Sequence, residues 1–125
     1  MTMPNLKTVL IIEDEADTAE MLSEMMQLSG YRSIHAYAAQ PALTLLSDQK
    51  PDLILLDVVL PDYSGLDLLR KIRQISQFDD LPVVLISGNS QPVDIQNGLI
   101  AGASAYLTKP VAFWELKTTV DRLVK

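Results

Sequence analysis

The chain has 125 residues, 48% hydrophobic and 21% charged, which fits one globular unit with a single substantial core and excludes a disordered chain. A net charge of -6 argues against broad contact with a nucleic-acid backbone, which needs clustered lysine and arginine, and favours a cation wherever the acids converge. Without cysteine there is no disulfide framework and no thiolate metal site, and no apolar stretch approaches a membrane span, so a soluble cytoplasmic protein with no membrane partner is expected.

After a polar lead over residues 1–6, expected to be loose, Thr8 to Ile12 is an apolar, β-branched run that ends on Glu13-Asp14-Glu15. From Ala16 to about Ser29 the residues Ala19, Leu22 and Met26 recur at helical spacing, Gly30 is a natural stop, and Asp14 or a neighbour is the candidate cap. Arg32 to Ala36 reads as a less apolar strand nearer an edge, on which His35 has no evident partner. Pro41 to Asp48 places Ala42, Leu45 and Leu46 on a helical face, with Pro41 suited to the first turn.

Leu53 to Leu56 does not alternate polar with apolar, so it suits a strand covered on both faces; it stops on a single acid, Asp57, before Leu60-Pro61 and a turn to Gly65. Leu66, Leu69 and Ile72 support a helix to about Ile75, with Leu68 widening its buried stripe. Leu81 to Ile86 is a second doubly buried run, with Pro82 at its start and Ser87-Gly88-Asn89 at its end. Pro92 to Ile100 is a weaker helix carrying Gly98, and the strand Ala105 to Leu107 stops on Thr108-Lys109-Pro110. The last helix, about Ala112 to Val124, carries Leu116, Val120, Leu123 and Val124 on one face.

Five repetitions of strand then helix predict an α/β fold: a doubly wound five-stranded parallel sheet with right-handed crossovers and helices on both faces. Parallel strands point the same way, so Glu13, Asp14, Asp57, Ser87 and Lys109 should meet at the carboxyl edge, where open α/β sheets bind ligands. Crowded carboxylates raise one another's pKa unless a cation lies among them, and an all-oxygen donor set suits magnesium. Phosphoryl transfer fits the set: a carboxylate attacks phosphorus, a metal ion and a lysine neutralise the non-bridging oxygens, and a hydroxyl donates a hydrogen bond. Singly, each residue has a plainer reading. Asp57 and Ser87 are turn formers, Glu13-Asp14 a helix cap and Lys109 a surface lysine, but jointly these would have to coincide at four strand ends.

The stretches VLIIEDE, LILLDVVLPDYSGLDLLRKIR, PVVLISG and GASAYLTKPVAFWEL span nearly the whole chain, and together they resemble the response-regulator receiver domain, the CheY-like phospho-accepting module of two-component signalling. The resemblance implies a flavodoxin-like fold in which Asp57 accepts a phosphoryl group, with Glu13, Asp14, Asp57 and the Val59 backbone carbonyl holding Mg2+ or Mn2+. It implies that Ser87 and Lys109 contact the phosphoryl group, that the Lys109-Pro110 bond is cis, and that Ser87 and Tyr106 relay the change to the last two helices and the strand between them. The implied donor is a histidine kinase or histidine phosphotransfer protein, and the implied reader a downstream protein or output domain, with a homodimer through the last two helices as a further option. The chain would then be one receiver domain over residues 1–125, stand-alone or cut from a longer protein, and not a turnover enzyme.

Two departures bear on tuning. Ser87 stands where threonine is common, and Gly88 follows where alanine is frequent. An apolar Val59 cannot orient an attacking water, so slow self-dephosphorylation is expected, with Asn89 as the modulating group.

Three rival readings stand beside this one. A nucleotide- or flavin-binding protein of similar topology needs a phosphate cradle after the first strand, where Glu-Asp-Glu-Ala-Asp instead repels phosphate. An aspartyl phosphohydrolase calls for a second acid two residues after Asp57, where Val59 stands. The third is a degenerate receiver-like interaction domain not regulated by phosphorylation; no member of the expected set is missing, which disfavours it.

Overall fold

The computed structural model describes residues 5–124, so residues 1–4 of the expected loose lead lie outside it. Five strands, β1 (Thr8–Ile12), β2 (Arg32–Ala36), β3 (Leu53–Asp57), β4 (Val83–Ser87) and β5 (Ala105–Thr108), alternate with five helices. These are α1 (Ala16–Leu28), α2 (Ala39–Gln49), α3 (Gly65–Gln74), α4 (Pro92–Ala101) and α5 (Phe113–Leu123). All strand pairs are parallel in the order β2-β1-β3-β4-β5, which is the expected doubly wound, flavodoxin-like sheet. The least apolar strand, β2, lies at one edge.

Every residue of β3 and β4 is buried, because consecutive side chains enter different cores. Ile54 and Leu56 pack with Leu46, Leu68 and Ile72 from α2 and α3, while Leu53 and Leu55 pack with Leu22, Met26, Leu116 and Val120 from α1 and α5. Water is excluded from both faces. A second tie within the α1/α5 layer is polar: Asp121 accepts from the Tyr31 hydroxyl and, at 2.6 Å, from Lys117 Nζ.

Several boundaries differ from the sequence reading, each for a local reason. Helix α1 starts without a side-chain cap: Glu15 is the N-cap, its carboxylate accepts from Thr18 Oγ1 at 2.6 Å, and Asp14 is exposed. Gly30 does end α1, at φ 92°, where its amide and that of Tyr31 close onto Gln27 and Met26. Helix α2 begins at Ala39, two residues before Pro41, because Asp62 from the β3–α3 loop accepts from Ala39 N at 2.9 Å and Gln40 N at 3.1 Å. Strand β4 begins at Val83 rather than Leu81; Pro82 precedes it, yet its carbonyl still accepts from Ile54 N. A single 3-10 turn, Ser76–Phe78, follows α3 and escaped the periodicity reading.

Arg73 closes the amino edge of the sheet. Its guanidinium donates to the carbonyls of Gly102 (2.9 Å), Phe78 (3.0 Å) and Leu81 (2.6 Å), tying the ends of α3 and α4 to the approach of β4.

Candidate functional site

Asp57 is the last residue of β3, Glu13 follows β1 and Lys109 follows β5, so all three emerge at the carboxyl edge. Backbone bonds set their heights: Glu13 N donates to Ala36 O (3.0 Å), Val58 N to Ile86 O (3.2 Å) and Lys109 N to Ser87 O (2.8 Å). Lys109 Nζ then lies 3.0 Å from Glu13 Oε1 and 2.9 Å from Asp57 Oδ2, bridging the two acids. The remaining oxygens take amides, Asp57 Oδ1 from Val59 N at 3.0 Å and Glu13 Oε2 from Glu15 N at 3.3 Å. The Lys109-Pro110 bond is cis.

Glu13 and Asp57 are 2% and 7% exposed, and one lysine does not neutralise two carboxylates at that depth. Burial, then the hydrogen bond shared with Asp57 and its negative charge, push the Glu13 carboxyl up to about 7, against the pull of Lys109 and the Glu15 amide. Burial pulls Lys109 down, but its bonds to Asp57 and Glu13 outweigh that and hold its ammonium above the usual range. Asp14 adds a third acid from the solvent side, with carboxylate oxygens of Glu13, Asp14 and Asp57 all within 4.8 Å of one another. Three hard oxygen donors with surplus negative charge fit a divalent cation of the magnesium type.

The structure places Ser87 at the same edge, 3% exposed, with its hydroxyl accepting from Asn89 N at 3.0 Å rather than bonding the carboxylates. Tyr106 on β5 is half-buried, and its hydroxyl donates to Asn89 O at 2.8 Å. Its ring lies against Gly98 of α4, where an added Cβ would stand 3.0 Å from Tyr106 Cδ2. Val59 is 69% exposed and Trp114, at the start of α5, 70% exposed.

Three residues that hold this site were not singled out from sequence. Gly65, read only as a turn end, lies where any Cβ would come 2.4 Å from the Asp57 carbonyl oxygen. Asp62 clips the loop beyond Asp57 to α2. His35, without an evident partner in the sequence, has one in the structure: its Nε2 is 2.8 Å from the Glu13 carbonyl oxygen. Only the PDYSG turn carried a sequence signal, its glycine at a helix start.

The sheet order and the acid-and-lysine cluster at its carboxyl edge define a doubly wound, flavodoxin-like α/β protein with its site at the strand ends. The response regulator receiver domain model matches residues 9–121, and the chain belongs to that family. It is 37% identical over 119 residues to the phosphate regulon transcriptional regulatory protein PhoB of Pseudomonas aeruginosa, covering 95% of this chain and 52% of that protein. It is 38% identical over 109 residues to the transcriptional regulatory protein AfsQ1 of Streptomyces coelicolor, covering 87% of this chain and 46% of that one. The chain thus spans about half the length of these relatives.

Among solved structures, Vibrio cholerae chemotaxis protein CheY4 superposes with a TM-score of 0.89 at 27% identity, over 96% of this chain and 100% of that one. A CheY-like receiver domain protein from Methanospirillum hungatei superposes at 0.86 and 26% identity, over 94% and 93%. Phosphorylation-based switching is the general function of this family, whose members act as signalling switches rather than turnover enzymes. No described helix is long and apolar enough to cross a membrane.

Proposed function

We propose that this chain is a single receiver domain, acting in the cytoplasm, whose Asp57 takes a phosphoryl group from the phosphohistidine of a histidine kinase or histidine phosphotransfer protein. The observation that carries this reading is the buried Asp57 carboxylate, with Lys109 Nζ 2.9 Å from one oxygen and the Val59 amide 3.0 Å from the other. A carboxylate oxygen of Asp57 forms the bond to phosphorus as the donor's nitrogen–phosphorus bond breaks. Lys109, already between Glu13 and Asp57, offsets negative charge on the phosphoryl oxygens. Ser87 accepts its one bond through Oγ, leaving its own hydrogen for a phosphoryl oxygen. Glu13, Asp14, Asp57 and the Val59 carbonyl would hold Mg2+ or Mn2+, which when bound supplies charge neutralisation at the transferring group.

The relay runs through Asn89. Its amide is held by Ser87 and its carbonyl by Tyr106, so a hydroxyl that turns toward a phosphoryl group releases one end of this link and frees Tyr106 to move. The surface affected is that of α4, β5 and α5, where Val93, Ile100 and Trp114 are 60%, 74% and 70% exposed. These exposed apolar side chains suit a downstream protein, an output domain or a second copy of the chain, and the chain's net charge of -6 argues against direct nucleic-acid contact. The same face would serve the second reading, an interaction domain indifferent to phosphate.

Incubation with acetyl phosphate and Mg2+ separates the two. The switch gives an acid-stable, base-labile adduct of one phosphoryl group that Asp57→Asn abolishes; an intact protein that forms no adduct belongs to the second reading.

A further inference from the structure

The acids that would face the metal leave the sheet just after β1, beside the open edge strand β2. Two bonds from β2 fasten that departure. The Ala36 carbonyl accepts from Glu13 N at 3.0 Å, and the His35 ring nitrogen Nε2 meets the Glu13 carbonyl oxygen at 2.8 Å. A carbonyl only accepts, so His35 donates through a proton on Nε2. His35 pairs in register with Ile11, two residues before Glu13, and it is exposed at the sheet edge, where its ring nitrogen reaches the Glu13 carbonyl rather than a core. On the helix side the turn is held by the Thr18 hydroxyl on the Glu15 carboxylate and by the Glu15 amide on Glu13 Oε2, neither of which touches the Glu13 carbonyl, and Asp14 is exposed.

The Glu13 carbonyl belongs to the peptide plane that joins Glu13 to Asp14. Atoms of a peptide unit are coplanar, so holding that oxygen restrains rotation of the whole plane, and with it the ψ of Glu13 and the φ of Asp14 on which the two side-chain directions depend. We propose that His35 is a positioning residue for the metal-binding turn: its imidazole holds the Glu13–Asp14 peptide plane so that both carboxylates converge on the space beside Asp57. A group that orients ligands without touching the ion tunes affinity, as outer-shell partners do at metal sites generally. This rests on the reading of Glu13, Asp14 and Asp57 as the Mg2+ ligands.

The test is a MgCl2 titration of the full chain, 15N-labelled, followed through the amide shifts of Asp14 and Val59. The variants are His35→Ala, His35→Phe, which keeps a ring without a donor, and His35→Gln, which keeps a donor. Loss of one neutral hydrogen bond should raise the Mg2+ dissociation constant of the alanine and phenylalanine variants by roughly 2- to 10-fold. Glutamine should stay closer to wild type than either. Amide shifts remote from β1 and β2 report that each variant is folded. Wild-type affinity in both the alanine and phenylalanine variants would overturn the proposal, as would a glutamine variant no better than alanine. Absence of any saturable shift in the wild type is a different failure, since it removes the metal reading itself and the positioning role with it.

Discussion

At Gly65 a methyl group would stand 2.4 Å from the Asp57 carbonyl oxygen and 2.7 Å from both Val58 Cα and Val58 O, all of them backbone atoms that no rotamer change can move. The Gly65 amide also donates to Val58 O at 2.8 Å, so the first residue of α3 is pressed onto the loop that follows Asp57. Gly65→Ala is therefore expected to cost about 1–3 kcal/mol by forcing that contact apart, measured by urea denaturation, and to slow acetyl phosphate labelling of Asp57. A variant with wild-type stability and rate would refute the close approach. Val59 is assigned to the opposite step as a proposal: its exposed side chain has no polar atom with which to hold a water beside an acyl phosphate, so Val59→Asn should speed phosphate loss. An unchanged decay rate would sink that assignment. Residue-scale legibility followed chemistry that a residue type announces. Asp57 stood out because it ends an apolar run, and Lys109 because a strand stops on it. The His35 contact left no trace because its partner is the backbone carbonyl of the residue that follows β1, and a carbonyl belongs to every residue type.

Among the elements, α2 shows how a helix start can be set from elsewhere in the chain. Its own N-cap is Ala38, which has nothing to offer the first amides, and Asp62 supplies both oxygens from 23 and 22 residues away. The amides of Ala39 and then Gln40 hold the Asp62 carboxyl below its ordinary range. A folded pKa below the unfolded one means that this contribution is fully present above the unfolded value and is lost as pH falls through the folded value. Hydrogen-exchange protection of the Ala39 and Gln40 amides should thus be high at neutral pH, drop in acid, and be low at every pH in Asp62→Ala. Equal protection in wild type and variant at pH 7 would show that the cap is idle. Sequence periodicity found the four helices that bury an apolar stripe, while α4, which buries only Gly98 and Ala101, was marked more weakly; the α2 start was placed two residues late, since the signal for it lies past β3. The 3-10 turn at Ser76–Phe78 was missed because three residues are too few to show a period.

For the molecule as a whole, the parallel, doubly wound sheet was legible because alternating strand and helix leave few right-handed solutions, and because runs such as Leu53 to Leu56 are apolar at every position; the flavodoxin-like arrangement came from the family resemblance. What the pattern did not show was which helices share a layer. The sheet is the common wall: α2, α3 and α4 pack on one face and α1 and α5 on the other, so the two sets of buried side chains are separated by the strands. Ile72 on α3 and Ile11 on β1 are 1% and 0% exposed and belong to different layers. Removing one methylene at either place should cost about 0.5–1.5 kcal/mol, the usual range for Ile→Val in a close-packed core. If the wall keeps the layers apart, the double variant Ile11→Val, Ile72→Val should lose the sum of the single losses to within about 0.5 kcal/mol in urea denaturation followed by far-UV circular dichroism. A larger discrepancy would mean that strain crosses the sheet, and then the carboxyl edge carrying Asp57 would respond to packing in both layers at once. Additive losses with unchanged acetyl phosphate labelling would instead show a site whose geometry depends on the strand ends and their loops.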